Sequence, residues 1–368
     1  MHEWQQKLYK LDSKDKVRVW YVEVDGDTYT AYSGIDGGTL TSKATKVKGK
    51  NIGRSNETTA EEQAVAEAHS KWRKKLEREL YKLDLNDKAL YQQCMLALDA
   101  TKVGHRIKWD ENDYVAQPKL NGVRCTTVYV DDKVKLFSRK GKEYKVPHIQ
   151  NQLLSLYRSM PKDKVNRELI SFDGELYIHG VELGDITSAV SGNENTLKLK
   201  MNLFDLAIPK YNFSQRYKLL KYFLSQYKEK KDIELVKIFP VKDMDELKIL
   251  HDNYVDDGYE GAILRDINSE YLFGKRGTGL FKYKEFQDAE FKIVAVVPDK
   301  DEKGAILVYQ TETGELFNSR STGTDEYREH QLNNPDEYIG KMGTVRFSNY
   351  LKSGVPEFGR GIAIRDYE

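Results

Sequence analysis

Apolar and polar residues alternate along the chain from about residue 17. Val17, Val19 and Tyr21 occupy every second position, and Asp25-Gly26 marks a turn before the alternation continues to residue 31. Successive side chains of a strand point to opposite faces of a sheet. The pattern therefore predicts a β-hairpin over residues 17–31, followed by a further strand at 40–47.

A helical spacing of apolar residues follows this β-rich segment. Thr59 and Glu62 have the spacing of a capping box, in which each side chain hydrogen bonds to the backbone of the other residue. Apolar positions then recur at Ala64, Ala68, Trp72, Leu76 and Leu80. We expect a helix that ends near residue 81 and closes a small module, residues 1–85. A second helix is expected over 87–100, within a helical linker at 86–112.

The rest of the chain divides into a mixed region and a β-rich region. Between residues 113 and 288, strands are expected near Lys119 and at 134–138, 172–178, 201–207 and 262–265. Helices are expected at 149–157, 214–228 and 244–255. From 289 to 368 the pattern is almost purely β, with strands at 291–297, 305–310, 345–349 and 361–365, which predicts a terminal barrel. The predicted fold class is α+β.

Composition narrows the classes of protein without selecting one. The 368 residues carry a net charge of +1, which neither demands nor excludes a polyanionic partner. Two isolated cysteines, Cys94 and Cys125, argue against a disulfide framework or a structural zinc site. The polar amino terminus is not a secretory signal, and no apolar run approaches a membrane span in length. We expect a soluble protein of the cytoplasm, without a membrane partner, and a virus-encoded protein acting in a host cell fits this setting.

The segment from Pro118 to Arg124, with the sequence Pro-Lys-Leu-Asn-Gly-Val-Arg, is the strongest sign of chemistry. It sets Lys119, Gly122 and Arg124 on a predicted turn between two β-rich runs. This arrangement suits a lysine nucleophile that acts on a phosphate. By itself, a Lys-x-x-Gly pattern more often marks a surface turn with a solvated lysine.

Four later segments supply the other groups that a phosphate-transfer site needs. Ser138-Arg139 places an arginine just after a strand, and a guanidinium can bind two oxygens of one phosphate. Asp173-Gly174-Glu175 and Glu260-Gly261 each set a carboxylate beside a glycine, and Lys282-Tyr283-Lys284 directs two lysines to one face of a strand. Alone, each carboxylate is more often a surface group, the lysine pair a solvated strand face, and Phe204 a core residue. Their coincidence in this order favours the functional interpretation.

In that order the segments resemble the motifs of the covalent nucleotidyltransferases, the family of ATP-dependent DNA ligases, RNA ligases and messenger-RNA capping guanylyltransferases. The resemblance covers residues 114–366 and is greatest to small viral DNA ligases, whose carboxyl-terminal segment is similar to residues 351–365. It implies a nucleotidyltransferase domain at 113–288 and an OB-fold domain at 289–368. The implied function is that of an ATP-dependent DNA ligase, which seals 5′-phosphate/3′-hydroxyl nicks in duplex DNA during replication, repair or recombination.

The same resemblance implies roles in the reaction with ATP. Lys119 attacks the α-phosphate and retains AMP, while Lys282 and Lys284 neutralise that phosphate in the transition state. Glu260 binds the metal ion, expected to be Mg²⁺ with Mn²⁺ as an alternative. The implied nucleotide contacts are Gln117 at the edge of the adenine, Glu175 at the ribose, Phe204 stacked on the adenine, Arg124 and Glu260.

Contacts with nucleic acid are implied for a second set of residues. Arg124 and Arg139 hold the 5′-phosphate, and Arg276 is a further phosphate contact. Asn121 departs from the family, which usually has aspartate at this position. The position is expected to lie near the reactive 3′ terminus of the nucleic acid. Asparagine keeps the shape and one acceptor but loses the charge. We expect an active ligase whose sealing step tolerates the neutral side chain. If the unchanged protein sealed nicks at a near-zero rate and Asn121→Asp raised that rate by orders of magnitude, this expectation would be wrong.

The N-terminal module carries a basic run that has two interpretations. Lys46, Lys48 and Lys50 lie in the stretch 40–54, which contains no acidic residue. Such a run either follows a DNA backbone or forms a solvated basic loop. The module loosely resembles the tryptophan-glycine-arginine domain of DNA-damage proteins, although that tripeptide is absent. We expect a monomer whose partner is nicked duplex DNA.

Two other functions fit the same motifs. An RNA ligase shares them, because the motifs report the reaction with the nucleotide and not the sugar of the strand. A DNA-end-binding protein with a decayed catalytic centre also fits, with Asn121 as the departure. A Lys119-dependent covalent adduct with labelled ATP separates enzyme from binder, and nicks in DNA or RNA strands separate the two ligases.

Overall fold

The computed structural model describes residues 4–12, 16–79, 81–85, 91–161, 165–227, 231–300 and 302–365. Within these residues the chain forms four β-sheets and seven α-helices, which confirms the predicted α+β class. In this described part, no helix is both long enough and apolar enough to cross a membrane.

The N-terminal module is a four-stranded antiparallel sheet with a helix packed on one face. Its strands follow chain order: β1 (Leu8–Leu11), β2 (Val17–Asp25), β3 (Thr28–Ile35) and β4 (Leu40–Lys46). The predicted hairpin and the strand after it are thus confirmed. The helix α1 (Ala60–Arg78) begins at the predicted capping box, since Thr59 and Glu62 each accept a hydrogen bond from the backbone of the other. Trp20 and Val22 of the sheet pack against Ala68 and Trp72 of the helix.

The helix predicted over 87–100 is wrong in the residues that the structure describes, and positions 86–90 lie outside them. Residues 91–95 have no regular secondary structure, and β5 (Leu96–Asp99) is a strand. It pairs in parallel with a strand at 276–283, where Leu98 lies opposite Phe281. Long-range strand pairing therefore outweighs the local helical pattern. The described part of the expected helical linker is an extended segment followed by one short helix, α2 (Ala100–Val103).

Two sheets form the central region. Their strands are β6 (Tyr114–Lys119), β7 (Val123–Val130), β8 (Lys133–Ser138), β9 (Glu143–Tyr144), β10 (Ser171–Tyr177), β11 (Lys200–Ala207), β12 (Ile233–Leu235), β13 (Phe239–Val241), β14 (Gly261–Asp266) and β15 (Arg276–Tyr283). The helices are α3 (Pro147–Ser159), α4 (Leu183–Gly192), α5 (Phe213–Gln226) and α6 (Met244–Asp256). The predicted strands and helices are present where described, and residue 228 of one predicted helix lies outside the described residues. The sequence pattern missed α4, which is rich in glycine, serine and threonine, residues with weak helix propensity.

The chain crosses from one central sheet to the other beside Lys119. The six-stranded sheet has the order β12-β11-β10-β7-β8-β9, and the five-stranded sheet has the order β13-β6-β14-β15-β5. β6 ends at Lys119 in the second sheet, and β7 begins at Val123 in the first. The predicted turn is therefore the connection between two sheets, and Lys119 lies where they meet.

The C-terminal region is a five-stranded sheet that curls towards closure. Its strands, β16 (Gln287–Pro298), β17 (Ala305–Gln310), β18 (Leu316–Ser319), β19 (Met342–Phe347) and β20 (Arg360–Arg365), have the order β18-β17-β16-β19-β20. A parallel bridge from Ser321 to Gly361 joins the segment after β18 to the opposite edge. The predicted barrel is thus confirmed. The prediction that this region is almost purely β was wrong, because the helix α7 (Asp325–Asn333) precedes β19. Its run of charged residues has no clear apolar stripe.

Candidate active site

A cavity of about 230 Å³ lies where the two central sheets meet. Residues from β5, β6, β7, β10, β11, β14 and β15 line it, together with Arg139 just after β8. The cavity lining includes eight of the residues that the sequence singled out: Gln117, Lys119, Arg124, Arg139, Glu175, Phe204, Arg276 and Lys282. Segments that are distant in the chain therefore converge on one place, as a shared chemical role requires.

Two lysines hold one carboxylate at this place. Lys119 Nζ donates to Glu260 Oε2, and Lys284 Nζ donates to Glu260 Oε1 at 2.8 Å. Strand register brings the groups together, because Glu260 N also donates to Lys119 O at 2.8 Å just before β14 begins. Burial acts to raise the pKa of Glu260, but the charges and hydrogen bonds of Lys119 and Lys284 outweigh it and lower that pKa. The carboxylate is therefore ionised at neutral pH.

Lys282 has a separate carboxylate partner. Its Nζ lies 3.4 Å from Asp99 Oδ2, at the end of β5. The neighbouring aromatic residues on β15, Phe281 and Tyr283, are buried in the core on the other face. Lys282 thus lies on the cavity side of β15, opposite these aromatic residues, whereas Lys284 follows the end of the strand and contacts Glu260. Asp99 belongs to the segment that was mistaken for a helix, so this contact was not predicted.

Glu175 lies half-buried in the cavity wall. Burial raises the pKa of its carboxyl to about 7, although the positive charges of Arg124 and Lys119 act to lower it. Gly122 makes room for this side chain: a Cβ there would lie 2.8 Å from Glu175 Cγ and 2.6 Å from the carbonyl oxygen of Leu176. Both distances are shorter than van der Waals contact. The glycine of the Lys-x-x-Gly pattern is therefore a steric requirement of the site.

Arg124 forms a bidentate ion pair with a fully buried carboxylate. Its Nε and Nη2 each lie 2.6 Å from an oxygen of Asp173, which also accepts a hydrogen bond from Tyr271 at 2.6 Å. The guanidinium stacks over the ring of Phe204, 4.6 Å from its centroid. Arg124 thus fixes the Phe204 ring while lining the cavity.

A second buried network orients Gln117. Asp205 accepts hydrogen bonds from Arg216 Nε and Arg265 Nη1, both at 2.8 Å. Arg265 Nε donates to Gln117 Oε1 at 2.6 Å, and Gln117 Nε2 points to the carbonyl oxygen of Phe204 at 3.3 Å. Because a guanidinium only donates, it decides which end of the amide is the oxygen.

Sequence reasoning assigned no role to Asp173, Asp205, Arg216, Arg265 or Tyr271. One signal was available, since Asp205 interrupts the apolar run of β11 and Arg265 ends the apolar run of β14. Charged residues in such strands are buried only when they are paired. Finding the partners needs the tertiary structure, because they come from different elements.

The implied nucleic-acid residues of this region lie around the cavity. Arg139 and Arg276 are exposed residues of its lining, and Arg276 donates to the carbonyl oxygen of Ala97. Asn121 lies on the sheet crossing, where its Nδ2 donates to Glu357 Oε1 of the barrel at 3.4 Å. All three side chains therefore lie around the same cavity as Lys119, and none of the three forms a buried ion pair.

The basic run of the N-terminal module is not part of this cavity. Lys46 pairs with Asp27 at 3.0 Å and Lys50 with Glu67 at 2.8 Å, whereas Lys48 is exposed. Acidic residues from outside the run thus offset part of its charge, which the local sequence did not reveal. Such exposed pairs are weakened by solvent and salt and exchange readily with water or with a competing anion.

The site has the groups that bind a nucleoside phosphate. It combines an aromatic face, a half-buried carboxylate, several cations and a lysine in contact with an ionised glutamate. In the described ranges, no group of three or more His, Cys, Asp or Glu side chains is arranged to hold a metal ion. Mg²⁺ is commonly held by one or two carboxylates together with substrate phosphates, so the single carboxylate Glu260 fits an ion of that kind.

Comparisons with known proteins identify the family and the fold. Residues 94–284 match the family described as the ATP dependent DNA ligase domain. A DNA ligase of African swine fever virus (isolate Pig/Kenya/KEN-50/1950) is 28% identical over 98% of this chain and 87% of its own length. The DNA ligase of Enterobacteria phage T4 is 24% identical over 65% of this chain and 60% of its own length. A solved structure of a Lig E DNA ligase has a TM-score of 0.60 at 22% identity and covers 75% of this chain and 100% of its own.

Proposed function

The chain belongs to the ATP-dependent DNA ligases, enzymes that form phosphodiester bonds with ATP as the AMP donor, and we propose that it seals 5′-phosphate/3′-hydroxyl nicks in duplex DNA. The intermediates are AMP on Lys119 and then AMP on the 5′-phosphate. The observation that carries the proposal is that Glu260 accepts hydrogen bonds from both Lys119 and Lys284. These residues lie beside the cavity that Phe204 and Glu175 line.

In the first step, Lys119 Nζ attacks the α-phosphorus of ATP. The bond from nitrogen to phosphorus forms as the bond from the α-phosphorus to pyrophosphate breaks, and the amine must be neutral to attack. Lys282, which lines the cavity, and Lys284, 2.8 Å from Glu260, supply positive charge beside the attacked phosphate. Charge of that kind lowers the barrier because it meets the charge that develops in the transition state.

The cavity lining supports the binding of an adenosine. Phe204 offers a ring whose other contacts, Arg124 at 4.6 Å and Arg265 at 5.4 Å, hold it in place. Gln117 lies at the same wall with its amide oriented by Arg265. Glu175 is the acceptor for the ribose hydroxyls, which a carboxylate binds in its ionised form.

The metal ion of the reaction is Mg²⁺ in this proposal, with Mn²⁺ as an alternative. Glu260 is the residue that would hold it, since the Glu260 carboxylate is ionised and lies beside the reacting lysine. When bound, the ion offsets the negative charge of the phosphates. The chain's own residues keep the tasks of orienting ATP and carrying AMP.

The remaining steps involve nicked DNA. Arg139 and Arg276, which are exposed at the cavity, bind the 5′-phosphate that receives AMP. Arg124 contributes the N–H groups that are not hydrogen bonded to Asp173. Asn121 lies near the 3′-hydroxyl that displaces AMP. The neutral side chain at 121 is compatible with sealing, because the lysines and arginines around it provide the charge that the phosphates require.

The same proposal divides the chain into functional units. Residues 1–85 form a DNA-binding module that carries Lys46, Lys48 and Lys50, and 86–112 form the linker. Residues 113–288 are the nucleotidyltransferase domain and 289–368 the OB-fold domain, and the protein acts as a monomer. The N-terminal sheet and helix α1 share a core of Leu8, Trp20 and Trp72, which supports a separate module.

A labelled-ATP experiment tests the proposal. Incubation with α-labelled ATP and Mg²⁺ is expected to label the protein, and Lys119→Ala is expected to abolish the label. Lys218→Ala, at an exposed position of α5, is the matched control and keeps it. Absence of label on the unchanged protein would favour a DNA-end-binding protein. Sealing only of nicks with RNA strands would favour an RNA ligase.

A further inference from the structure

The carboxylate of Asp99 is held in place by the residues that follow it. Asp99 ends β5 and is the N-cap of α2. Its Oδ1 accepts from Thr101 N at 3.2 Å and from Thr101 Oγ1 at 2.7 Å. Ala100, the first residue of α2, is buried in the same core cluster as Phe281 of β15. One carboxylate oxygen therefore serves the helix cap, and this fixes the direction of the other oxygen.

The second oxygen of Asp99 faces Lys282. The two residues lie opposite each other in the parallel pairing of β5 with β15, and Lys282 Nζ is 3.4 Å from Asp99 Oδ2. The Asp99 side chain is 17% exposed and that of Lys282 31%, so solvent screens this pair less than a pair at the open surface. Burial acts to raise the pKa of Asp99, but the hydrogen bonds of Thr101 and the charge of Lys282 outweigh it and lower that pKa. Asp99 is therefore negatively charged at neutral pH.

Each of the three site lysines thus has its own carboxylate oxygen. Glu260 Oε2 accepts from Lys119, and Glu260 Oε1 accepts from Lys284. Both oxygens of Glu260 are engaged, so Asp99 supplies the acceptor for Lys282. A lysine side chain loses much rotamer freedom when its end is fixed. If a neighbouring carboxylate fixes it as the protein folds, that loss does not oppose the reaction with ATP.

We propose that Asp99 is a positioning residue, which holds the Lys282 ammonium at the cavity wall where the α-phosphate of ATP is attacked. This inference rests on the proposed function and adds a residue outside the motifs. Asp99 acts through Lys282, since Lys282 lines the cavity and Asp99 does not. Leu96 and Ala97 of β5 also line the cavity, so the strand that carries Asp99 is part of the same wall.

Asp99→Asn separates the contact with Lys282 from the helix cap. Asparagine is as good an N-cap as aspartate, because its carbonyl oxygen accepts in the same way, but its amide turns N–H groups towards Lys282. The rate constant of lysyl-AMP formation at saturating ATP is expected to fall about tenfold, since the lysine loses its charged partner and its alignment. The KM for ATP is expected to stay the same or to fall, because Lys282 keeps its charge and a negative charge leaves the wall. An unchanged rate constant overturns the proposal.

The matched control is the same substitution at another helix cap, Asp243→Asn. Asp243 is the N-cap of α6, where its Oδ1 accepts from Glu246 N at 2.8 Å, and it does not line the cavity. This variant is expected to keep the rate constant of the original protein. Both variants are expected to keep its melting temperature, because asparagine preserves each cap. A rate loss of equal size in Asp243→Asn would assign the effect to the cap and refute the proposal.

A double-mutant cycle tests whether Asp99 acts through Lys282. Lys282→Ala removes the ammonium, so Asp99→Asn in that background is expected to slow single-turnover labelling by less than about twofold, against about tenfold in the original background. Equal losses in the two backgrounds would mean that Asp99 acts independently of Lys282, which overturns the proposal.

The order of the Lys282 ammonium gives a readout that is independent of activity. In NMR relaxation of the lysine side-chain nitrogens, Lys282 of the original protein is expected to be more ordered than Lys218, which is exposed on α5, and Asp99→Asn is expected to remove the difference. Equal order of the two lysines in the original protein would refute the positioning role even if lysyl-AMP forms normally. Conversely, absence of lysyl-AMP in the original protein would refute the proposed function, while the relaxation comparison still tests the role of Asp99.

Discussion

Glu175 is the active-site carboxylate whose ionisation falls nearest to neutral pH. Burial raises its pKa to about 7, despite the opposing charges of Arg124 and Lys119. A raised carboxyl pKa means that the proton stays bound well above the usual range of about 4.3. The ionised form, which is the acceptor for the ribose hydroxyls in the proposed function, therefore appears as the pH rises through about 7.

This titration predicts a pH-dependent affinity for ATP. Between pH 6 and 8 the ionised fraction of a group with pKa near 7 rises about tenfold, so the KM for ATP in lysyl-AMP formation is expected to fall by a similar factor. Glu175→Gln, which cannot ionise, is expected to remove this part of the pH dependence while binding ATP more weakly. The measurement is the KM at each pH for both proteins. Parallel pH profiles would exclude Glu175 as the titrating group.

Residue identity alone marked the candidate reactive groups of this site but not most of their partners. Lys119, Glu260 and Lys284 were recognised from their motifs, and the structure brings them into contact. Asp205 and Asp99 were not recognised, because the meaning of a carboxylate depends on which distant side chain it meets. Each lies in a strand, and each of its cationic partners comes from another element.

At the scale of elements, the connection between β6 and β7 decides how closely the two central sheets approach. Gly122 lies on this connection, against the backbone of β10, where the carbonyl oxygen of Leu176 is 2.6 Å from a constructed Cβ. A backbone oxygen cannot swing away as a flexible side chain does. Any side chain at 122 must therefore displace the connection, with Lys119 at its start.

Gly122→Ala is expected to lower the rate of lysyl-AMP formation by about tenfold or more, because a 1 Å misplacement of a reacting group has costs of that size. Gly184→Ala is the matched control, since no atom lies within 4 Å of a Cβ there and alanine favours the helix α4. Rates of single-turnover labelling with ATP compare the three proteins. Equal rates in Gly122→Ala and the original protein would contradict the steric account.

Elements with a strong local pattern were predicted well. The hairpin of β2 and β3, the capping box of α1 and the strands that carry the motifs all agree with the structure. The segment of β5 was wrong because its pairing with β15 is a long-range interaction. The helix α4 was missed because it is rich in glycine, serine and threonine, which have weak helix propensity, and α7 was missed because its charged sequence has no clear apolar stripe.

At the scale of the whole molecule, the proposed DNA-binding module predicts a salt dependence. Each lysine that contacts phosphate adds about 0.9 to the slope of log affinity against log salt concentration. Changing Lys46, Lys48 and Lys50 together to Gln is expected to weaken binding to nicked DNA and to reduce that slope by about 2 to 3. Lysyl-AMP formation without DNA is expected to be unchanged, since these residues lie outside the cavity.

The control for this prediction is neutralisation of three exposed lysines elsewhere, Lys218, Lys221 and Lys248. It removes the same net charge and is expected to change the slope less. If both triple variants reduce the slope equally, net charge and not the module accounts for the effect. If neither does, the basic run is a solvated loop, with Lys46 and Lys50 occupied by Asp27 and Glu67.

The sequence by itself predicted the fold class, which the structure confirms, and it marked the segments that carry the candidate reacting residues, because periodicity and motif spacing are local properties. The tertiary structure decided the partners: Arg124 with Asp173, Arg265 with Gln117, and Asn121 with Glu357. Each of these pairs joins residues at least 49 positions apart. A contact across such a separation depends on how sheets and barrel pack against each other, and no local pattern encodes that packing.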